Sequence, residues 1–178
     1  MIMIMIKVIG IVVVLVAGLL IYAATKADSF RVERSASIKA PPEKIFALVN
    51  DLHKWVAWSP WENIDPALKR TYSGAESGKG AVYAWEGNNK VGSGSMEILE
   101  SVPASRITIK LDFIKPFEGH NTAEFKIERA GDATALTWAM FGPSPYLSKV
   151  MGLVFSMDKM IGSQFETGLA NLKTITEK

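Results

Sequence analysis

Between Pro145 and Lys178 the chain carries one long apolar stripe, and this stripe limits what the remainder can be. Val150, Leu153, Val154, Met157, Met160, Ile161, Phe165, Leu169, Leu172 and Ile175 recur at steps of three and four, the period of one helical face. Lys149, Ser156, Lys159, Glu166, Lys173 and Glu177 fall opposite. Such a helix is unstable alone in water and draws its helicity from a surface it packs on. Gly162 and Gly168 inside it cost ~1 kcal/mol each relative to alanine. Gly168 lies along the stripe with Met157, Ile161 and Phe165, where a missing side chain either lets a strand approach or leaves volume for a ligand.

At the other end, Val8 to Ala24 carries no charge, and only Lys7 interrupts the apolar run that begins at Met1. The run approaches the ~20 residues needed to cross a bilayer. A membrane anchor over 1–28, linker included, is expected. A cleaved signal peptide is the alternative, with Lys7 as its basic end and Thr25–Ala27 as a poor cleavage site, but the stretch is long for a signal's apolar region. Lys7 stands on one side, and Lys26, Arg31 and Arg34, diluted by Asp28 and Glu33, on the other, so the positive-inside count does not orient the segment.

The residues 29–178 form about one ordinary domain. Lys plus Arg number 20 against 18 acidic residues, too even a balance for a polyanion-binding surface, and no nucleic acid is expected. Cysteine is absent, which excludes disulfides and thiolate metal sites.

Ser29 to Ile38 alternates as a strand and ends at Ala40, Pro41, Pro42. Those prolines preset the first turn of a helix whose Ile45, Phe46, Val49 and Leu52 share one side. Trp55, Trp58 and Trp61 then fall within seven residues around Ser59 and Pro60, a concentration of aromatic surface that is either core or the mouth of a pocket. Six short strands separated by turn residues follow, within Lys69–Ser73, Ala81–Glu86, Gly94–Val102, Arg106–Ile114, Asn121–Arg129 and Thr134–Phe141. Short turns between consecutive strands make an antiparallel meander, about seven strands with the first, and an α+β class. Parity places Ile107, Ile109, Leu111 and Phe113 on one face, with Ala123, Phe125 and Ile127 facing the same way as Leu136, Trp138 and Met140. That face is the natural partner of the C-terminal stripe.

This order of elements resembles the helix-grip fold of the START/Bet v 1-like (SRPBCC) superfamily, and more narrowly its bacterial polyketide cyclase/dehydrase-type members. The residues carrying the resemblance are Val32–Ile38 with Ala40–Phe46, the Trp55–Trp61 run, Gly80, Val82, Tyr83 and Trp85, and Asp158–Gly162 leading to Phe165, Glu166, Gly168, Leu169 and Leu172. It covers nearly all of 30–177 and implies a curved antiparallel sheet wrapped on a long C-terminal helix, with a hydrophobic or lipid-like molecule enclosed between them. On that reading the ligand-contacting residues are Trp58, Tyr83, Trp85, Phe113, Phe125, Trp138, Met140, Met157, Ile161 and Phe165. Localisation would be a bacterial inner membrane, single-pass through residues 8–24.

Two alternatives stay open. A cyclase or dehydratase would need an inward polar group, and His120, Glu124, Tyr83 and Glu100 reach inward only if a bulge shifts strand parity. A protein-interaction role, implied by related folds that serve as chaperone cofactors, would need Trp55, Trp58 and Trp61 in an exposed patch. The superfamily has no universal catalytic set to transfer, so no catalytic residue is assigned. His53 and His120 are isolated from one another and give no ligand spacing, so no metal and no cofactor are expected. Gly92-Ser93-Gly94 is read as a turn, not a phosphate loop, because no helix follows.

Overall fold

The computed structural model describes residues 2–178. An N-terminal helix, α1 (Ile2–Ala24), is followed by β1 (Ser29–Ile38), α2 (Pro42–Val49) and two 3-10 turns at Leu52–Ala57 and Pro60–Asn63. Six strands come next: β2 (Lys69–Gly74), β3 (Ala81–Glu86), β4 (Ser93–Val102), β5 (Arg106–Lys115), β6 (Gly119–Ala130) and β7 (Ala133–Pro143). Two helices, α3 (Tyr146–Met151) and α4 (Met157–Thr176), end the chain. All seven strands form one antiparallel sheet in the order β1-β7-β6-β5-β4-β3-β2, so the meander runs outward from β7 and β1 returns to its other edge.

The register realises the expected parity. Ala123 pairs with Met140, Phe125 with Trp138 and Ile127 with Leu136, and all six are buried, as are Ile107 and Ile109 on β5. The helix α4 lies on this face at the β1 and β7 side, touching α2 and the Pro60 turn as well. Phe165, Leu169 and Leu172 are buried beneath it, and each such side chain is worth ~1.5–3 kcal/mol on leaving water. Arg34 on β1 reaches Asp158 and Glu166 on α4 at 3.0 and 2.7 Å, but both carboxylates are largely exposed and such pairs contribute ~0–1 kcal/mol. Apolar packing therefore holds the helix, and the ion pairs orient it.

The C-terminal helix is shorter than the stripe predicts. Instead of running unbroken from Pro145, it stops at α3 and restarts at Ser156, whose hydroxyl accepts the Lys159 amide N–H at 3.2 Å. The side-chain cap satisfies a helix end that would otherwise leave donors free. The stripe splits with it: from Ile161 onward it faces the sheet, whereas Val154, Met157 and Met160 are exposed. The helix α2 likewise ends before Leu52 and His53, which open the 3-10 turn.

Both glycines of α4 admit close neighbours. A Cβ at Gly168 would stand 2.8 Å from Trp138 Cζ3 and 3.3 Å from Pro60 Cδ, and one at Gly162 would collide with the Arg34 guanidinium. Close approach, rather than spare volume, explains Gly168. Replacing Gly168→Val should lower stability by ~2 kcal/mol, in the range of overpacked cores, despite the better helix propensity of valine, and urea denaturation of the two proteins would measure it.

Candidate functional site

The sheet is wider than the helix that covers it. Towards β2–β5 the inner face continues past α4, and there Tyr72, Trp85, Leu111 and Phe113 pack on the core while remaining half-exposed. Trp85 pairs across to Gly94, and Gly94 to Phe113. A Cβ at Gly94 would stand 2.5 Å from Trp85 Cζ2, so the glycine is what lets the indole lie flat on the strand. Phe113 meets that indole edge-on at 5.8 Å. Gly92, with φ +70, makes the turn, and Ser93 and Gly94 already belong to β4.

The ten residues expected to contact a ligand divide into four groups. Trp58, Phe125, Trp138, Met140 and Phe165 are buried in the core, with Trp138 stacked on Phe165 at 4.2 Å and on Phe125 at 4.9 Å. Trp85, Phe113 and Ile161 lie at its half-covered margin, and Met157 is on the outside. Tyr83 is buried but polar-bonded. Trp55 and Trp58 donate their indole N–H groups to the Val49 and Leu48 carbonyls at 3.0 and 3.3 Å, which fixes them as core. Trp138 differs: its Nε1 is buried without an acceptor. Two open recesses lie elsewhere, one along Lys7–Leu15 of α1 and one of about 270 Å³ between Lys39–Pro42 and the β6–β7 turn.

Sequence reasoning missed a buried polar cluster beside this face. Glu62, 6 % exposed, accepts the Tyr83 hydroxyl at 2.8 Å and the Arg70 Nε–H at 2.6 Å, and Arg70 Nη2 donates to the Glu62 carbonyl at 3.0 Å. Burial, then the bond to Glu62, holds the Tyr83 phenol far above its usual range, and the same carboxylate raises Arg70. Asp65 next to it caps the turn, accepting the Ala67 and Asn88 amides at 2.9 and 2.7 Å. Tyr83 is buried although β3 has no register shift, so the bulge expected to be needed for it is not; the available signal was the need of a buried tyrosine for an acceptor to its hydroxyl.

Of the other titratable candidates, His120, Glu100 and Glu124 sit on the wet face, and His53 on the 3-10 turn beside Tyr72. His120 Nδ1 is 2.8 Å from Asp112 Oδ1, and the ring is largely exposed. Glu100 pairs with Arg106 at 2.8 Å, and Glu124 stands 3.7 Å from Arg31 and 3.6 Å from Lys126. Glu100 shares the parity of the buried Met96 and Ile98, and the register shift between Ile98 and Glu100 sets it opposite Thr108 instead, on the outward face. His53 stacks on Tyr72 at 4.1 Å, with Nδ1 3.1 Å from Asp51. Among the described residues, no three histidine, aspartate or glutamate side chains converge as a metal-ligand set.

A family profile described as polyketide cyclase / dehydrase and lipid transport matches residues 29–177. No curated protein matches the chain. Solved structures are similar in fold at low identity. The Aha1 dimer of Colwellia psychrerythraea is 17 % identical with a TM-score of 0.58, over 83 % of this chain and 96 % of that one. Ara h 8.0201 is 12 % identical with a TM-score of 0.56, over 83 % and 97 %. The di-domain ARO/CYC BexL from the BE-7585A biosynthetic pathway is 14 % identical with a TM-score of 0.63, over 88 % of this chain and 52 % of that one.

Removing the cation from the buried cluster strands its carboxylate. Arg70→Ala should cost ~3 kcal/mol, the low end for breaking a buried pair because Arg70 is itself partly solvated, and thermal denaturation would read it. His120 should titrate above the ordinary histidine value of ~6.5, because Asp112 favours its charged form. The sign follows: its contribution to stability is complete below the unfolded-state pKa and is lost as pH rises through the raised folded-state value. NMR titration of the ring checks this, and Asp112→Asn should return the midpoint towards the ordinary value.

Proposed function

The chain belongs to the polyketide cyclase/dehydrase and lipid transport family, and from that membership we propose that it holds a small hydrophobic or lipid-like molecule while tethered to a membrane by α1. The observation that carries the reading is the half-covered apolar face of Tyr72, Trp85, Leu111 and Phe113. Aromatic surface that remains partly solvated beside a packed core is where an apolar ligand gains most from leaving water. The molecule would lie between sheet and helix, with Ile161, half-buried at the start of the buried stripe, on the helix side. The Trp138 indole N–H, buried without an acceptor, is a donor that an oxygen on such a molecule could satisfy. Such a donor costs ~1–3 kcal/mol unpaired.

Tethering is supported by the length and character of α1. Its 23 residues extend ~35 Å at ~1.5 Å per residue, enough for a hydrocarbon core of ~30 Å. The span Ile4–Ala24 has mean hydropathy 3.0, and of its residues only Ala23 is buried against the protein. A cyclase or dehydratase has less to work with. Of His120, Glu124, Tyr83 and Glu100, only Tyr83 points inward, and its hydroxyl is engaged by Glu62. Trp55 and Trp58 are core residues and offer no exposed patch for a chaperone-like partner.

Native mass spectrometry of the full chain extracted in mild detergent, with solvent extraction of the same sample, tests the reading. An apolar molecule should co-purify, and Phe113→Ala should weaken its retention about tenfold, equivalent to ~1.4 kcal/mol. A chain that carries nothing, and whose tryptophan emission is unchanged by added long-chain fatty acid, would overturn it.

A further inference from the structure

The segment joining the sheet to α4 is exposed and apolar to a degree that water does not explain. From Tyr146 to Met157 the one charged residue is Lys149, and its side chain is turned away from solvent onto Asp28 at the foot of α1. Leu147, Met151, Val154 and Phe155 are 59, 38, 78 and 56 % exposed, and Met160 in the first turn of α4 is 61 % exposed. Contiguous apolar surface of this kind marks an interaction site.

Its position relative to α1 decides which. The helix α3 packs on α1, the Tyr146 hydroxyl donates to the Leu20 carbonyl at 2.9 Å, and Ala23 is fully buried at the junction. Leu20 is one turn from the end of an otherwise uncovered apolar helix. If that helix spans a bilayer, α3 sits at the depth of its last turn, in the interface, and its outer side chains have lipid beside them. The β5–β6 turn reaches the same end of the sheet: Gly142, at the exit of β7 towards α3, abuts His120 and Asn121 at the start of β6, and Phe117 in that turn is 60 % exposed.

We infer that the Tyr146–Met157 segment, with Phe117 beside it, is embedded in the interfacial layer of the membrane that α1 crosses, so that the domain stands on the bilayer rather than swinging from its anchor. The inference rests on the membrane-spanning reading of α1. The occupant is lipid, and apolar burial drives the contact: the segment has no basic cluster to draw it to anionic headgroups. The half-covered face ends in Trp85 and Phe113, at the same end of the sheet, so a lipid-like molecule could reach it from the bilayer without crossing water.

The chain has no cysteine, so single cysteines can carry an environment-sensitive fluorophore at chosen sites in the full chain. The sites are Val14→Cys in α1, Phe155→Cys and Phe117→Cys in the apolar segment and turn, and Lys126→Cys on the outer sheet face. All four positions are exposed, and thermal melting of each variant checks the fold. The proteins are reconstituted in nanodiscs of phosphatidylcholine and phosphatidylglycerol, with and without nitroxide-labelled lipid. Loss of emission to the nitroxide at Val14, Phe155 and Phe117, with Lys126 unaffected, is the expected result. Quenching at Val14 with Phe155 open to aqueous iodide like Lys126 overturns the inference and leaves the anchor standing. Emission at Phe155 that is blue-shifted but insensitive to nitroxide means a protein covers the patch, and also overturns it. An unquenched Val14 removes the spanning reading of α1 and the inference with it.

Discussion

The stacking of Trp138 between Phe125 and Phe165 is the contact on which the rest of the domain depends. It joins neighbouring strands to the final helix through one side chain, and Trp55, Trp58 and Trp61 set their rings against it at 6.2, 5.4 and 5.6 Å. Each aromatic pair adds ~0.5–1.5 kcal/mol beyond area burial. Together these outweigh the ~1–3 kcal/mol cost of an indole N–H without an acceptor. Gly168 belongs to the same contact, because any larger residue would push the helix off the indole. The Trp55–Trp61 connection is thus the lining of the helix seat, and Pro60 and the 3-10 turns serve to present three rings to one point.

A helix seated on Trp138 cannot also cover the far strands. Its axis is committed to the β1 and β7 side by the tryptophan cluster and by Arg34, whose guanidinium lies over Gly162. The sheet continues outward through β5, β4, β3 and β2, and the inner residues Tyr72, Trp85, Leu111 and Phe113 are left packed on a core on one side and half-exposed on the other. The buried Glu62, held by Tyr83 and Arg70, fixes the Pro60 turn against β2 and β3 and so bounds one side of that surface with a rigid wall. The half-exposed aromatic surface proposed to hold a ligand and the packed core thus occupy adjoining parts of one face.

The break before α4 has a comparable consequence at the opposite end. Ser156 can cap the helix only if the chain arrives from outside, so Val154 and Phe155 are carried away from the sheet. Apolar residues that would have completed the stripe instead face outward next to α1. Local capping chemistry therefore converts part of a core helix into surface, at the place where α3 packs on α1.

Much of this was legible in the residues. Strand parity in Arg106–Ile114 and across the Gly131 turn needs only the two-residue period of a strand, and it identified the face, the core residues and the helix that covers them. The stripe from Ile161 to Ile175 and the uncharged run from Val8 to Ala24 are equally local signals. The sequence by itself thus determined the class, the sheet and the identity of its inner face, because these follow from periodicity along one segment. Tertiary structure decided what periodicity cannot carry: that Glu62 turns inward to meet a tyrosine and an arginine on two other strands, that Gly168 serves an indole and not a ligand, and that α4 covers only half of the sheet. Those depend on distances between segments remote in the chain, where side-chain volume and hydrogen-bond satisfaction, not spacing, choose among arrangements with the same pattern.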